Sequence, residues 1–418
     1  MVASWWLLAL LALLALALAA VAWFVADRVA RGALVPVAYG LQAEFAVLEV
    51  RAAGVDAEGR RVVEVQVPLA DGGGGGSGAA PVRQFARVDA EGSYGLMWVD
   101  DDGRSAYGRL GPVLARDAAS VERRLTVLHG EPPRSGTDAR IDVTLHRRDP
   151  LADLGLAFED VRIAGPVGEV AAWWLPAASD AAVVMVHGRR RGDRTEALRA
   201  LPAVVASGTS VLVTSYRNHD VSDPSPDGLF HYGASEADDL LAALAWLRER
   251  GVGRVVLVTY SMGGAVAMLA RDRWPADGPE LLGLSMDAPL IDPAEVIAHG
   301  ARRAGVPAPL ARAGLALASR RIGTPLAALD LRRRAHALDV PLLLHATTAD
   351  DTIPIGLVDA FAAGVPADLL TYRRLEVGGH VEAWNVDPEG YEAALAVFLQ
   401  RALRRSGPPP GAPVASGR

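Results

Sequence analysis

From about residue 151 onward, short and fully apolar runs alternate with longer amphipathic ones. The apolar runs AAVVMVHG (181–188), TSVLVTSY (209–216), RVVLVTY (254–260), LLGLSMD (281–287), VPLLLHA (340–346) and LLTYRRLEV (369–377) read as strands buried on both faces. Between them, residues 234–250 and 265–274 read as helices. Leu240, Leu241, Leu244 and Leu247 share one face of the first. Such alternation predicts an α/β fold, a doubly wound and mostly parallel sheet over 151–405, opened by an antiparallel hairpin at FEDVRIAG and EVAAWWL. Residues 293–339 break the pattern with Ala- and Arg-rich helical sequence and predict a cap insertion.

Residues 28–150 carry another texture. Runs such as FAVLEVRAAG, RRVVEVQVPL, QFARVDAEG, YGLMWVDDDG and RRLTVLHGE alternate imperfectly between Gly, Asp and Pro turns, which predicts a small β-rich domain. The adjacent acids Asp100, Asp101 and Asp102 before Gly103 suit a hairpin turn better than a calcium loop. DGGGGGSGAA (71–80) reads as a flexible loop; it lacks the Lys-Ser/Thr ending of a phosphate-binding loop. The Pro- and Gly-rich segment 406–418 reads as a disordered tail.

Trp5 to Ala26 has no charge, no Gly and no Pro. As a helix its 22 residues reach about 33 Å, against a bilayer core of about 30 Å, and Trp5, Trp6 and Trp23 stand at its ends. The expectation is a single-pass transmembrane anchor over 1–27. Arg28 and Arg31 follow the span and no basic residue precedes it, so the rest of the chain is expected on the cytoplasmic side of the cell membrane. A cleaved export signal is the competing reading.

Composition narrows the chemistry. The chain of 418 residues has no cysteine, so disulfides, thiolate metal sites and a cysteine nucleophile are out. Net charge is −7, which argues against a nucleic-acid partner. There is no lysine, so Arg clusters, the basic cap segment included, count for less than they would elsewhere.

The most informative residues are Tyr260-Ser261-Met262-Gly263-Gly264, which follow a strand and open a helix. A serine held at a tight strand-to-helix turn is exposed beyond the sheet, with the Met262 amide and the helix N-terminus facing a developing oxyanion. Small residues are needed beside it, and Gly263 and Gly264 supply them. The run VVMVHG followed by this serine turn resembles the α/β-hydrolases, and the resemblance implies that the loop after the 181–188 strand supplies the second oxyanion amide, from Arg189 or, failing that, Gly188; His187 itself reads as structural. His380, in a Gly378-Gly379-His380 loop after the last strand, has the chain position of a general base. The acid that orients it is expected after the penultimate strand, at Asp350 or its neighbour Asp351, with Asp287 and Asp292 as more distant options. His231 and Tyr232 are candidates to line a pocket.

At these motifs the chain resembles the α/β-hydrolase superfamily, through VVMVHG, SYRN (215–218), TYSMGG, MDAPLID, ADDTIP and GGHVEAWNVDP, spread over residues 155–400. The resemblance implies a serine hydrolase of the esterase or peptidase kind, cleaving an ester, thioester or amide of a small acyl substrate through an acyl-enzyme, with no metal and no cofactor. The chain departs from the family pattern at Thr259, where Gly is usual, and at Ala346. The alternatives are a catalytically lapsed, membrane-tethered binding protein and an acyltransferase on the same fold.

Overall fold

The computed structural model describes residues 2–36, 45–69, 88–189 and 193–404. The glycine run at 71–80 and the tail after 405 lie outside the described residues. Helix α1 (Val2–Leu34) opens the chain; its side chains are described from Leu13 on, except Ala15.

Seven strands follow: β1 (Phe45–Ala46), β2 (Glu49–Val55), β3 (Arg61–Pro68), β4 (Tyr94–Val99), β5 (Ser105–Arg116), β6 (Ser120–His129) and β7 (Asp138–Asp142). They form one antiparallel sheet in the order β1-β7-β4-β5-β6-β3-β2. Val65, Tyr94, Leu96, Trp98, Leu110, Leu125 and their neighbours make its core. In β3 the apolar alternation is visible in the burial of Val63, Val65 and Val67. Strand β5 is the longest of the seven, yet its sequence hides it: Gly108, Gly111 and Pro112 interrupt the pattern, and the register with β6 shifts beside each of them. The Asp100 carboxylate closes the β4–β5 hairpin by accepting from the amides of Asp102 (3.1 Å) and Arg104 (2.9 Å), the turn expected there.

After α2 (Pro150–Leu154), eight strands build a second sheet: β8 (Glu159–Ala164), β9 (Glu169–Leu175), β10 (Ala181–Val186), β11 (Ser210–Thr214), β12 (Arg254–Tyr260), β13 (Glu280–Asp287), β14 (Leu342–Thr347) and β15 (Leu370–Leu375), in the order β15-β14-β13-β12-β10-β11-β9-β8. The six strands from β10 to β15 pair in parallel, and β9 and β8 extend the sheet antiparallel. Side-chain parity assigns the two faces. Ala182, Val184, Val186, Val255 and Leu257 pack with α4 (Glu236–Glu249), α5 (Met262–Arg271) and α8 (Ile355–Ala362). Val183, Met185, Val256, Val258 and Tyr260 pack with α3 (Leu201–Val205) and α10 (Pro388–Arg404). Both faces are covered, so each central strand is apolar throughout. The cap is α6 (Pro293–Arg303) and α7 (Ala308–Arg321) with short 3-10 turns after them. Short α9 (Ala383–Val386) precedes α10.

Among the described residues no helix is long and apolar enough to cross a membrane. The last turns of α1 lie against the protein instead: Ala26, Ala30, Ala33 and Leu34 are buried. Close approach to α7 rests on Gly314, where a Cβ would stand 2.7 Å from the Val29 Cβ. Asp27 receives Arg31 at 2.7 Å and Arg321 of α7. The arginines of the cap segment are largely spent in this way: Arg332 meets Asp292 and Asp330, Arg334 meets Asp272 and Arg303 meets Asp351. Gly314→Leu is therefore expected to pry α1 from α7, read as faster tryptic cleavage after Arg28 and Arg31 in the folded protein. An unchanged cleavage rate would mean that α1 is not held by this contact.

Candidate active site

In an open parallel sheet the carboxyl ends of the strands are where loops converge. Four loops do so here: His187-Gly188-Arg189 after β10, Ser261 after β12, Asp350 after β14 and His380 after β15. Ser261 sits at φ 48°, ψ −114°, a region costly for any residue with a side chain. The turn is fastened by three backbone bonds: Ser261 N–H to Asp287 O (2.9 Å), and Gly264 and Leu290 N–H to Ser261 O (3.1 and 3.0 Å). Helix α5 can start this close to β10 only because position 263 is glycine; a Cβ there would fall 2.4 Å from the Val186 carbonyl oxygen. Thr259 fits because its hydroxyl donates to the Ser285 carbonyl (3.1 Å).

The imidazole of His380 joins the other two groups. Its Nε2 accepts the Ser261 hydroxyl at 2.8 Å, and its Nδ1–H donates to Asp350 Oδ2 at 2.7 Å. Asp350 Oδ1 accepts the amides of Thr352 and Ile353, both at 2.8 Å, which fixes the carboxylate plane. Asp351 points elsewhere: its carboxylate pairs with Arg303 at 2.8 Å, and its carbonyl receives Arg303 and His299 of the cap helix α6. The two neighbouring acids thus divide the work, one on the imidazole and one on the cap. Asp292 caps α6 instead. Asp287 is buried behind Ser261 without a hydrogen-bond partner for its carboxyl among the described residues, and burial pushes it up to about 7.

Burial works to lower the pKa of His380. The Asp350 carboxylate, by charge and hydrogen bond, together with Glu196 and Asp287, outweighs burial and holds the ring above its ordinary value of 6.5.

The loop after β10 is pinned peptide by peptide. The Gly188 N–H donates to Glu196 Oε2 at 2.6 Å, so Gly188 has no amide to spare for an oxyanion. Its carbonyl accepts the Tyr216 hydroxyl (2.8 Å) and His187 Nδ1–H (2.7 Å). In a trans peptide the next N–H points the opposite way, so the Arg189 amide is turned from Tyr216. Among the described residues it has no acceptor. The Arg189 carbonyl takes His219 Nε2–H at 2.6 Å. Met262, as the first residue of α5, has no acceptor within its helix for its own N–H. Tyr260 closes β12 with its ring buried beneath this turn, 5.4 Å under the Arg199 guanidinium.

His187 stacks on Tyr216 at 4.4 Å between ring centroids, His219 meets both rings edge-on at 5.0 and 4.6 Å, and burial pushes the two histidines down to about 4 and about 3. They are neutral scaffold. Glu196 and His219 escaped the sequence reading because a lone acid in a short 3-10 turn and a lone His in a loop carry no pattern. Of the two pocket candidates, His231 pairs with Asp227, and Tyr232 is buried, donating to the Ala33 carbonyl at the end of α1 (2.6 Å). The Arg189 guanidinium donates to that same carbonyl and lies over the rings of Phe230 and Tyr232. The end of α1 therefore rests on the side chain of Arg189, the candidate for the second amide.

The titration of His380 is open to measurement by NMR of labelled histidine. The midpoint is expected above 6.5 and should fall in Asp350→Asn, which removes the balancing charge. A midpoint indifferent to that substitution would contradict the geometry.

Comparison with known proteins gives three findings. Residues 86–142 match a family described as a domain of unknown function, DUF8805. A stretch of 157 residues is 24% identical to a probable serine hydrolase of Drosophila melanogaster; the match takes in 37% of this chain and 46% of that protein, so the chain spans about half the length of that relative. Among solved structures, the chain is similar to an esterase from Pyrococcus furiosus, at 22% identity over 61% of this chain and 96% of that one, TM-score 0.49. A hydrolase from Agrobacterium vitis is similar at 18% over 58% and 99%, TM-score 0.47. The resemblance to the α/β-hydrolases holds.

Proposed function

We propose that the chain is a serine hydrolase that cleaves an acyl substrate in two steps. The observation that carries the reading is the unbroken hydrogen-bonded series from Ser261 through His380 to Asp350, set on a strained turn that aims the hydroxyl away from the sheet. Substrate binds with its carbonyl carbon over Ser261 Oγ. His380 Nε2 takes the hydroxyl proton as the oxygen attacks, and the resulting imidazolium is stabilised by Asp350. Negative charge gathers on the carbonyl oxygen, where the amides of Met262 and Arg189 face it. The C–X bond then breaks, and His380 returns its proton to the departing alcohol, thiol or amine. A water molecule, deprotonated by the same imidazole, releases the acid and restores Ser261.

Both oxyanion donors are backbone groups fixed by folding, so they need no reorganisation during reaction. His380, with its raised pKa, is a base when neutral. Activity is therefore lost as pH falls through a value above 6.5.

The test uses a short p-nitrophenyl ester and a fluorophosphonate label. Ser261→Ala is expected to abolish labelling and to lower kcat by roughly 10⁴-fold or more, and Asp350→Asn to lower it by about 10⁴-fold. An unlabelled, intact Ser261 in the folded protein would favour a binding protein, and full activity in Ser261→Ala would end the assignment.

We also infer that α1 seats the protein at a membrane, with the hydrolase domain on the cytoplasmic side. The support is a run of exposed apolar side chains ahead of the docked turns: Leu13, Leu14, Leu16, Leu18, Trp23 and Phe24 are each more than half exposed. Water is a poor solvent for such a surface. The chain should sediment with membranes and resist a high-salt wash, and a chain starting at Asp27 should not. Release by salt alone would reverse this reading, and digestion of the hydrolase domain in intact spheroplasts would reverse its orientation.

A further inference from the structure

The loop that carries His380 is held in a conformation it would not adopt alone. Gly378 has φ 96°, and Val381, a β-branched residue, stands at φ 60°, where such a side chain crowds its own backbone. Strain of this kind persists only where the surroundings impose it. Part of the restraint comes from the hydrolase sheet, through the Thr347 hydroxyl on the Gly379 carbonyl at 2.7 Å. Further restraint comes from the β-rich domain. Ser93 N–H donates to the Asn385 carbonyl at 2.8 Å, and Asn385 Nδ2 returns two bonds, to Ser93 O (2.7 Å) and Val143 O (2.9 Å). Its Oδ1 accepts from Arg199 at 2.8 Å, so every polar position of this fully buried side chain is used. The Tyr94 hydroxyl donates to Glu382 Oε2 at 3.2 Å, and that same oxygen takes the N–H of Gly379, the residue before His380, at 2.8 Å.

The β-rich side of this contact is itself preformed. Arg123, fully buried, spends its guanidinium on the carbonyls of Val88, Ala90, Gly92 and Gly111 at 2.6–2.9 Å and lies over the Tyr94 ring. It thus ties down the segment that leads into Gly92, Ser93 and Tyr94. The approach is tight enough to demand glycine: a Cβ on Gly92 would stand 2.2 Å from the Asn385 carbonyl oxygen. On the β-rich side, every residue of this contact but Val143 falls within the stretch that matches a domain of unknown function.

We propose that the β-rich domain is a positioning device for the general base: through Tyr94 and Ser93 it clamps Glu382 and Asn385 and thereby holds His380 in line with Ser261. This rests on the hydrolase reading for its catalytic consequence, though not for its geometry. Neither Tyr94 nor Asn385 touches the reacting atoms. They act through the backbone on either side of the imidazole.

The test compares full-length wild type with Gly92→Ala, Asn385→Asp and Tyr94→Phe. The readouts are kcat and KM on a p-nitrophenyl ester and the NMR titration of His380. Gly92→Ala and Asn385→Asp, which drive the surfaces apart by clash and by charge against two carbonyls, are expected to cut kcat by about 100-fold, the scale of a misplacement near 1 Å. KM should change little, and the His380 resonance and midpoint should move toward those of a free imidazole. Tyr94→Phe deletes one hydroxyl, is expected to fold, and should lower kcat by several-fold with the same NMR signature. If Gly92→Ala fails to fold, Tyr94→Phe decides by the same readouts. Wild-type kcat and an unmoved His380 resonance in folded variants would overturn the proposal. A wild type without esterase activity whose His380 resonance nevertheless moves in the variants would sustain the clamp and remove the hydrolase reading.

Discussion

Everything in the site depends on the backbone at Ser261. A residue with a side chain at φ 48° costs about 1–3 kcal/mol, and the turn holds because three backbone hydrogen bonds and the glycine contact of α5 on β10 fix it. The conformation has two effects at once. It lifts Oγ beyond the sheet to the imidazole, and it starts a helix so that the Met262 amide faces the same space. In the proposed mechanism a relaxed turn would separate nucleophile from oxyanion donor, since both are consequences of one pair of dihedral angles.

The two remaining pieces of the proposed mechanism, His380 and the Arg189 amide, sit on loops, and loops need partners to be rigid. The Arg189 peptide is fixed by Glu196, Tyr216, His187 and His219, all within the hydrolase sheet's own loops. The Arg189 side chain then carries the end of α1. The His380 loop leans on the β-rich sheet. Segments that precede the α/β sheet in the chain thus come to rest on both loops from outside. This arrangement explains why Asn385 and Arg123 are buried with all their hydrogen bonds made, where an apolar core would do for stability alone.

Those contacts also mark the limit of what the chain discloses before folding. The parallel strands were legible because strands buried on both faces are apolar without interruption. Ser261, Asp350 and His380, which meet in the candidate site, were legible because each follows a parallel strand, in that chain order; the strand before His380, β15, is a half-buried edge strand rather than one covered on both faces. Asp350 could not be told from Asp351, since one residue of loop length decides which carboxylate reaches the ring and which reaches Arg303. Strand β5 was invisible because the glycines and proline that permit its register shifts are the residues that normally end a strand. Glu196, His219, Tyr94 and Asn385 were invisible for another reason. Each is polar, single and useful only against a partner more than twenty residues away or on another element, and periodicity has no memory at that range.

The same reasoning bears on the buried charges behind the serine. Glu196 and Asp287 both lie near His380, and burial raises the pKa of each. Ionised, they favour the imidazolium that forms when Ser261 loses its proton; protonated, they do not. Arg199 stands among them, a permanent cation that favours the ionised forms and also donates to Asn385. One guanidinium therefore touches both requirements of the proposed mechanism: the charge that His380 would acquire, and the contact proposed to keep it in place. An uncharged replacement would leave the Asn385 oxygen unpaired and let the nearby carboxyls protonate. The electrostatics of His380 and its position are therefore coupled through a residue with no part in the chemistry itself.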